Sequence, residues 1–367
     1  MKKSLWMLGA AVTALTSCTQ SEVLDISEGR RIGFETHVEK STRANTDDIV
    51  DAATDGFQEF YVYGAYASSW PANNPAVCLN GVKVKGGKGN WSYENHASWI
   101  ADRTFRFAAY ANGKGDGIAN AAKLDGVTFV SHEEVSDGST TNTVWGLDIV
   151  GYQETGRDLI AAVPEQKVVG DITTAPPSVG LTFKHILAKV IIQFRTTNTD
   201  ASMKMQISNG DDSGITFSAK SKGNCEVRYT GVSDNTMIGA TWGNQDVDKK
   251  YTFFADVENW NSGNIQQEYY VIPQSNTGIT IPIIVVDTQN SAGEVTSSVI
   301  YEDVSLEIEG HENWLPGYVY RYIADITPGQ HYIHFTTSVN TWVDEDDRNQ
   351  GLGGGTQSSN SSSGDSD

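Results

Sequence analysis

The chain has 367 residues, of which 38% are hydrophobic and 20% are charged. Those proportions predict packed cores and argue against global disorder, and the length suits two domains of ordinary size. The formal net charge of −20 argues against nucleic-acid binding, which needs a surface rich in lysine and arginine. It also argues against polybasic docking on anionic lipid.

The first 17 residues are predicted to be a signal peptide. Lys2 and Lys3 form a basic start, and the apolar run from Leu5 to Leu15 is too short to span a bilayer. The run ends in Leu15-Thr16-Ser17-Cys18, which resembles a bacterial lipobox. That resemblance implies cleavage between Ser17 and Cys18 and lipidation of Cys18. The alternative is an ordinary secretory signal with an incidental cysteine. Residues 18–30 are polar and mixed, and we expect them to form a tether.

The first strand of the mature chain is predicted just after this tether. Ile32, Phe34, Thr36 and Val38 alternate with polar residues, which is typical of a half-buried strand. The polar stretch from Ser41 to Asp48 cannot continue the strand, and it contains Arg43.

The rest of the chain predicts an all-β fold, because short aromatic and β-branched runs alternate with glycine-rich turns and no segment keeps a helical period. Asn80-Gly81 predicts a hairpin turn. Leu181 to Phe194 predicts one central strand, with Ala188, Val190, Ile192 and Phe194 on a single face.

A segment from Val168 to Ser178 with two prolines and no apolar run predicts a domain boundary. We therefore expect one β-sandwich domain at 31–176 and another at 177–347. Residues 348–367 are almost wholly small or polar and are predicted to be a disordered tail.

No pattern in the sequence indicates an enzyme, a cofactor or a metal site. His331 and His334 point to opposite faces of a predicted strand, and His185 on an apolar strand suits packing better than metal ligation.

Cys78 and Cys225 lie far apart, so two buried free thiols are favoured over an interdomain bridge. Tryptophans near polar loops leave a sugar-binding platform open, although packing is their commoner use; they are Trp91, Trp99, Trp242 and Trp260.

Five groups of residues carry a family resemblance. They are the lipobox at Cys18, Ile32-Gly33-Phe34-Glu35-Thr36 with Thr42-Arg43-Ala44, Arg157–Ala162, Leu181–Val190, and Pro316–Tyr322 with the closing segment Ile333–Trp342. In this order they resemble the fimbrillin family of Bacteroidia, which contains type V pilus subunits and related surface lipoproteins. The resemblance extends from the lipobox to about Asp347.

The resemblance implies two tandem transthyretin-like β-sandwich domains and an outer-membrane lipoprotein. It also implies that an arginine-specific protease cuts after the first strand, between Arg43 and Ala44. The removed strand would carry Ile32, Phe34, Thr36 and Val38, and a strand of another subunit would fill the vacated groove. Arg30 and Arg31 are competing cut positions, but cleavage there leaves the strand in place.

The sequence also departs from the family's polymerising pattern. After Trp342 the chain becomes acidic and then rich in glycine and serine, so no separate donor strand is evident and the Tyr332–Val343 region would have to serve. This departure argues against a stalk subunit and leaves a capping or accessory role open. The resemblance as a whole predicts a pilus subunit or adhesin that assembles with itself or with other pilus subunits at the cell surface. The alternative is a non-polymerising outer-membrane lipoprotein that binds a glycan or a host ligand.

Overall fold

The computed structural model describes residues 30–38, 59–70, 72, 74–86, 90–112, 123–136, 140–172, 176–196, 204–208, 215–229, 239–253, 263–275, 279–308, 310–327, 334–341 and 359–361. These residues form strands joined by turns and contain no α-helix. None of them builds a helix with the length and apolar character needed to cross a membrane. The all-β prediction is confirmed.

The strands differ widely in length. In chain order they are β1 (Phe34–Val38), β2 (Glu59–Ala67), β3 (Ala76–Lys85), β4 (Arg103–Asn112), β5 (Val127–Ser136), β6 (Thr140–Gln153), β7 (Leu159–Ala162), β8 (Lys167–Val169), β9 (Val179–His185), β10 (Ala188–Thr196), β11 (Lys204–Ser208), β12 (Ile215–Arg228), β13 (Gly239–Phe253), β14 (Gly263–Val271), β15 (Gln274–Ser275), β16 (Ile279–Gln289), β17 (Val295–Leu306), β18 (Asn313–Trp314), β19 (Tyr318–Ile326), β20 (His334–Thr341) and β21 (Ser359–Ser361).

The first sandwich packs two sheets together. Sheet I has the order β1-β9-β7-β4-β2-β3, with β8 beside β4, and sheet II has the order β13-β12-β6-β5. Side chains along a strand alternate between the two faces of its sheet, and in sheet I both faces are buried. One face packs on sheet II and forms the inter-sheet core, which includes Tyr61, Tyr63, Ala108, Tyr110, Trp145, Leu147, Cys225 and Val227. The other face forms the groove core, which includes Ile32, Phe34, Phe60, Tyr93, Trp99, Phe107, Leu181 and Phe183.

The second sandwich is built from sheet III, in the order β14-β10-β19-β20-β21, and sheet IV, in the order β11-β16-β17. Its core takes the alternate residues Ala188, Val190, Ile192 and Phe194 of β10, as the sequence predicts. Tyr320 and Tyr322 of β19 lie in the same core, and Phe335 of β20 closes it. Ser359–Ser361, within the predicted tail, pairs with the start of β20; disorder of the remaining tail stays a prediction.

Two long strands link the sandwiches. Phe217 on β12 and Phe253 on β13 pack in the second core, whereas Cys225 and Val227, further along β12, pack in the inter-sheet core. Lys249 of β13 forms an ion pair with the buried carboxylate of Glu154, which follows β6. The β12–β13 ribbon is therefore shared by both halves of the molecule.

The single strand predicted from Leu181 to Phe194 is wrong. The structure divides it into β9, which joins sheet I, and β10, which joins sheet III. Both pieces are apolar and buried, so the composition of the run gives no sign of the turn at residues 186–187 between them. Strand β9 lies beyond the expected boundary at residue 176 yet pairs with the first sandwich; the division into domains stays a prediction.

The hairpin predicted at Asn80-Gly81 is also wrong, because β3 runs through both residues. Gly81 has a φ of 63°, and the register between β2 and β3 shifts between Val62 and Tyr63. A glycine with positive φ in an extended strand produces a β-bulge as readily as a turn. Cys78 and Cys225 are both free, and Cys225 is buried.

Candidate strand-exchange groove

Strand β1 is an edge strand of sheet I and is paired in parallel with β9. The register places Phe34 opposite Val179, Thr36 opposite Leu181 and Val38 opposite Phe183. Just before β1, the amide of Ile32 donates to the carbonyl of Ala97 at 2.9 Å. The segment from Arg30 to Val38 is thus held by backbone bonds to β9 and to the loop that precedes β4.

The inward side chains of β1, together with that of Ile32 just before it, fill a closed apolar site. Ile32 is 1% exposed, Phe34 is 4% exposed and Thr36 is 3% exposed, which places all three in the interior. The ring centroid of Phe34 lies 5.9 Å from that of Phe60, 5.7 Å from that of Tyr93 and 6.2 Å from that of Phe107. Such edge-to-face and tilted packing of aromatic rings is favourable beyond the burial of area. The ring of Phe34 therefore fills the space between three aromatic rings of the groove core.

Tyr93 contacts the ring of Phe34 and is also hydrogen-bonded to the backbone just before β1. Its hydroxyl donates to the carbonyl of Ile32 at 2.8 Å, and burial raises its pKa from 10.0 to about 12. Removal of β1 together with Ile32 would leave this hydroxyl without its acceptor. That loss is unfavourable, because a buried tyrosine hydroxyl needs a hydrogen-bond partner.

One buried polar atom in β1 is not satisfied. Among the described residues, the hydroxyl Oγ1 of Thr36 has no hydrogen-bond partner. An unsatisfied buried hydroxyl costs about 1–3 kcal/mol. By contrast, Glu35 on the opposite face is exposed. The segment from Ile32 to Thr36 is thus well packed through Ile32 and Phe34, but the unsatisfied hydroxyl of Thr36 lowers its contribution to stability.

The partner strand β9 is fixed independently of β1 at its far end. His185 Nδ1 lies 2.7 Å from Asp158 Oδ2, and Ile160 pairs with His185 across β7 and β9. In the turn that follows, the amide of Ile186 donates to Leu159 and its carbonyl accepts from the indole of Trp242. These contacts anchor the wall of the groove.

Asp158 and His185 belong to two different sequence motifs, Arg157–Ala162 and Leu181–Val190, and their side chains are in contact. The sequence predicts a packing role for His185 and gives no indication of its pairing with Asp158. The two residues are 27 positions apart, and only the β7–β9 pairing brings them together. A polar residue at the end of each of two adjacent apolar strands was the available signal.

The remaining predicted site residues are placed as follows. Ser17, Cys18, Arg43 and Ala44 lie outside the described residues, and so do the side chain of Val38 and all of His331 and Trp260. Arg30 and Arg31 are exposed, but the carbonyl of Arg30 accepts from Trp99 at 2.7 Å and Arg31 forms a bridge with Ser98. A protease that needs an extended, unpaired segment meets a bonded backbone there.

Other candidate sites are not assembled by the fold. In the part of the chain that the structure describes, no three His, Cys, Asp or Glu side chains are grouped to hold a metal ion. Trp99 is buried and Trp91 packs on Phe60 with centroids 5.0 Å apart. Both rings cover the groove core, so they do not form an open platform for a sugar. Burial raises the pKa of the Cys78 thiol to about 12, which keeps it unreactive at neutral pH.

Comparison with known proteins gives one sequence match to a family. The model of a family described as Fimbrillin-like matches residues 42–342. No curated protein matches the chain. This family is structural and adhesive, not enzymatic.

The chain is also similar to solved structures of low identity. A fimbrial protein from Bacteroides vulgatus is 13% identical with a TM-score of 0.48, and the match covers 85% of this chain and 99% of that one. The fimbrial anchor protein Mfa2 from Porphyromonas gingivalis is 10% identical with a TM-score of 0.34, and the match covers 85% and 98% respectively. These likenesses are too distant to carry an argument, so the family assignment rests on the sequence match.

Proposed function

The chain belongs to the fimbrillin-like family, and from this premise we propose that it is a fimbrial subunit exported as a lipoprotein and assembled by strand exchange. A role like that of a pilus subunit at the cell surface follows from the family. The finer steps of the proposal are lipidation at Cys18, cleavage between Arg43 and Ala44, and replacement of β1 by a strand of another subunit.

The observation that supports strand exchange is the closed site around Phe34. Removal of β1 uncovers the paired edge of β9 and the buried side chains of Val179, Leu181 and Phe183. An open edge beside an apolar channel is a template for an added strand. Burial of two side chains such as Ile32 and Phe34 contributes about 3–6 kcal/mol, so an empty groove strongly favours a new occupant.

The choice of Arg43 is supported by where the competing arginines lie. Arg30 and Arg31 precede β1 and have bonded backbones, and a cut at either leaves β1 seated. Arg43 follows β1, so a cut there separates the strand from the rest of the chain. The same cut removes the lipidated Cys18, which uncouples the mature subunit from its first anchor in the outer membrane.

Mass spectrometry of the mature amino terminus on cells tests the proposal. We expect acylated Cys18 on the precursor and Ala44 as the first residue of the assembled form. Arg43→Gln should block the second form, while Arg31→Gln, the matched control, should not. Mature chains that start at Cys18 in isolated fimbriae contradict the proposed maturation.

Glycan or host-ligand binding without polymerisation has one supporting observation. An open cleft is lined by Trp242 together with the amide side chains of Asn244, Gln245, Gln274 and Asn313. An aromatic ring beside amides is suited to a sugar. However, Gln245 donates to Pro273 and Gln274 accepts from Lys220, so two of these amides already serve the fold. Retention on a glycan array that is lost in Trp242→Ala favours this second candidate.

A further inference from the structure

Arg106 is a buried cation on β4. It is 2% exposed, and its side chain lies on the face of sheet I that packs on sheet II, together with those of Ala108 and Tyr110. Burial lowers its pKa from 12.5 to about 10, and no carboxylate among the described residues forms an ion pair with it. Buried charges in proteins are ordinarily paired, so Arg106 is able to take an anion from outside the chain.

Aromatic rings surround the guanidinium without neutralising it. Its carbon Cζ lies 4.1 Å from the ring centroid of Trp70 and 4.7 Å from that of Trp145. One of its nitrogens, Nη1, donates to the hydroxyl of Ser131 at 2.6 Å. Contacts between a cation and an aromatic face are favourable, but neither the rings nor the hydroxyl carry a negative charge. The charge of Arg106 is therefore held in place and left uncompensated.

Two buried N–H donors beside this charge lack an acceptor in the described part of the chain. They are Nε of Arg106 and Nε1 of Trp145. The indole of Trp145 is fixed, because it stacks on Tyr229 with ring centroids 4.1 Å apart and its backbone pairs with Ser131 across β5 and β6. Unsatisfied buried donors are unfavourable, so two of them next to a cation favour a ligand that brings negatively charged oxygens. A carboxylate has this chemistry.

An open cleft of about 350 Å³ adjoins this place. Its lining is mostly small and polar and includes one cation; among its residues are Tyr66, Ser68, Ser69, Asn74 and Arg103. Trp70 borders the cleft, because it directly follows Ser69 and its indole donates at 3.0 Å to the carbonyl of Thr104, the neighbour of Arg103. Trp70 is partly exposed, so rotation of its side chain would connect the cleft to Arg106.

From these observations we propose that Arg106 and the adjoining cleft bind an acidic sugar, of the class of the uronic acids. The carboxylate of the sugar accepts from Nε of Arg106 and Nε1 of Trp145 once the ring of Trp70 has rotated. Its hydroxyls bind the hydroxyl and amide groups of the cleft, as is usual in sites for small polar ligands. The site is distinct from the cleft at Trp242, whose lining residues are all uncharged.

The inference goes beyond strand exchange and does not depend on it. Arg106 lies on β4, Ser131 on β5 and Trp145 on β6, so none of them belongs to β1 or to its partner β9. Trimming of the chain should therefore leave the affinity for an acidic sugar unchanged.

An acidic peptide is the competing occupant. The chain carries a net charge of −20, which repels a segment with several carboxylates more strongly than a sugar with one. The cleft also has a volume near the lower end of the range for small-molecule sites, which suits a single sugar ring better than an extended peptide.

Isothermal titration calorimetry of the purified, untrimmed chain tests the proposal. The probes are glucuronate, glucose, which has the same ring without the carboxylate, and a short peptide with one aspartate. We expect glucuronate to bind at least about 10-fold more tightly than glucose or the peptide, because a hydrogen bond between charged groups adds that much affinity.

Variants of Arg106 locate the carboxylate. Arg106→Met replaces an unpaired buried charge with an apolar side chain, which a fold tolerates, and should abolish the preference for glucuronate. Arg106→Lys keeps the charge but lacks Nε, so it should bind glucuronate more weakly than the unaltered chain. Lys220→Met, which removes a cation beside the second core, and Trp242→Ala are the matched controls and should keep the preference.

Each other result overturns the proposal. Equal binding of glucuronate and glucose, or binding of neither, would show that no carboxylate site exists. A preference that survives both Arg106 variants would place the carboxylate elsewhere. Tighter binding of the peptide than of glucuronate would show that the ligand is a protein segment and not a sugar.

Discussion

Phe34 packs β1 into the groove core, because its ring contacts three aromatic rings there. We expect Phe34→Ala to lower the free energy of unfolding of the uncleaved chain by about 3–5 kcal/mol, since it leaves a cavity where the ring was. Glu35→Ala on the exposed face of the same strand should change it by less than about 0.5 kcal/mol. Denaturant unfolding measures both changes in the free energy of unfolding. Similar changes for the two variants would contradict the packing role of Phe34.

Tyr93 reports on the groove through its ionisation. Burial holds its pKa near 12, above the ordinary 10.0, so the neutral phenol is favoured in the folded chain. The stability that this provides is complete below pH 10 and is lost as the pH rises through 12. After release of β1 we expect the ring of Tyr93 to become exposed and its pKa to fall toward 10.0.

A tyrosinate absorbance titration of the trimmed and untrimmed chains, each compared with Tyr93→Phe, measures this shift. Tyr320, whose pKa burial also raises to about 12, lies in the second core and is the internal control. A Tyr93 pKa that does not change on trimming would show that the groove stays closed.

The Asp158–His185 pair should stabilise the groove wall. Its side chains are 9% and 17% exposed, so the interaction is only weakly screened by solvent. We expect a coupling free energy of about 1.5–3 kcal/mol in a double-mutant cycle of Asp158→Asn and His185→Gln, measured by denaturant unfolding at neutral pH. A coupling near zero would show that the turn after β9 is held by its backbone bonds alone.

At the scale of the strands, Gly146 controls how closely β6 approaches β12. A Cβ at this position would lie 1.8 Å from the backbone oxygen of Val227, which cannot move without breaking sheet II. Gly146→Ala should therefore destabilise the chain by several kcal/mol, about 3 or more. Gly180→Ala on β9, where the space is open, is the matched control and should be nearly neutral. Thermal or denaturant unfolding of both variants checks the prediction.

The alternation of side chains makes much of this strand structure predictable. Ile32, Phe34 and Thr36 share a buried face, and so do the alternate residues of β10 from Ala188 to Phe194, as their sequence period indicates. Local patterns do not reveal which strands pair. The parallel pairing of β1 with β9 joins residues about 145 positions apart, so it depends on the whole fold and not on any local turn signal.

Two features were unpredictable for the same reason. The Leu181–Phe194 run is apolar throughout, and its division between two sheets is set by contacts of the turn with Leu159, Trp242 and Gly317. Similarly, Asn80-Gly81 carries a hairpin signature, yet the long partner β2 keeps β3 extended and converts the glycine into a bulge. In both places tertiary pairing overrides the local preference.

At the scale of the whole molecule, the two sandwiches share the β12–β13 ribbon, while β1 belongs to the first sandwich alone. We therefore expect loss of β1 to open one groove without disturbing the ribbon or the second core. The precursor would then be closed, and the trimmed subunit would still be folded but would have an acceptor edge. The central claim is that β1 is a replaceable strand whose loss makes the subunit assemble.

Trimming of the purified, delipidated chain by an arginine-specific protease tests that claim most directly. Amino-terminal sequencing and size-exclusion chromatography with light scattering are read on the same sample. We predict a new amino terminus at Ala44, release of the peptide that contains β1, and a ladder of stable oligomers that Arg43→Gln does not form. Monomers that persist after complete cleavage at Arg43 and release of β1 would contradict the account.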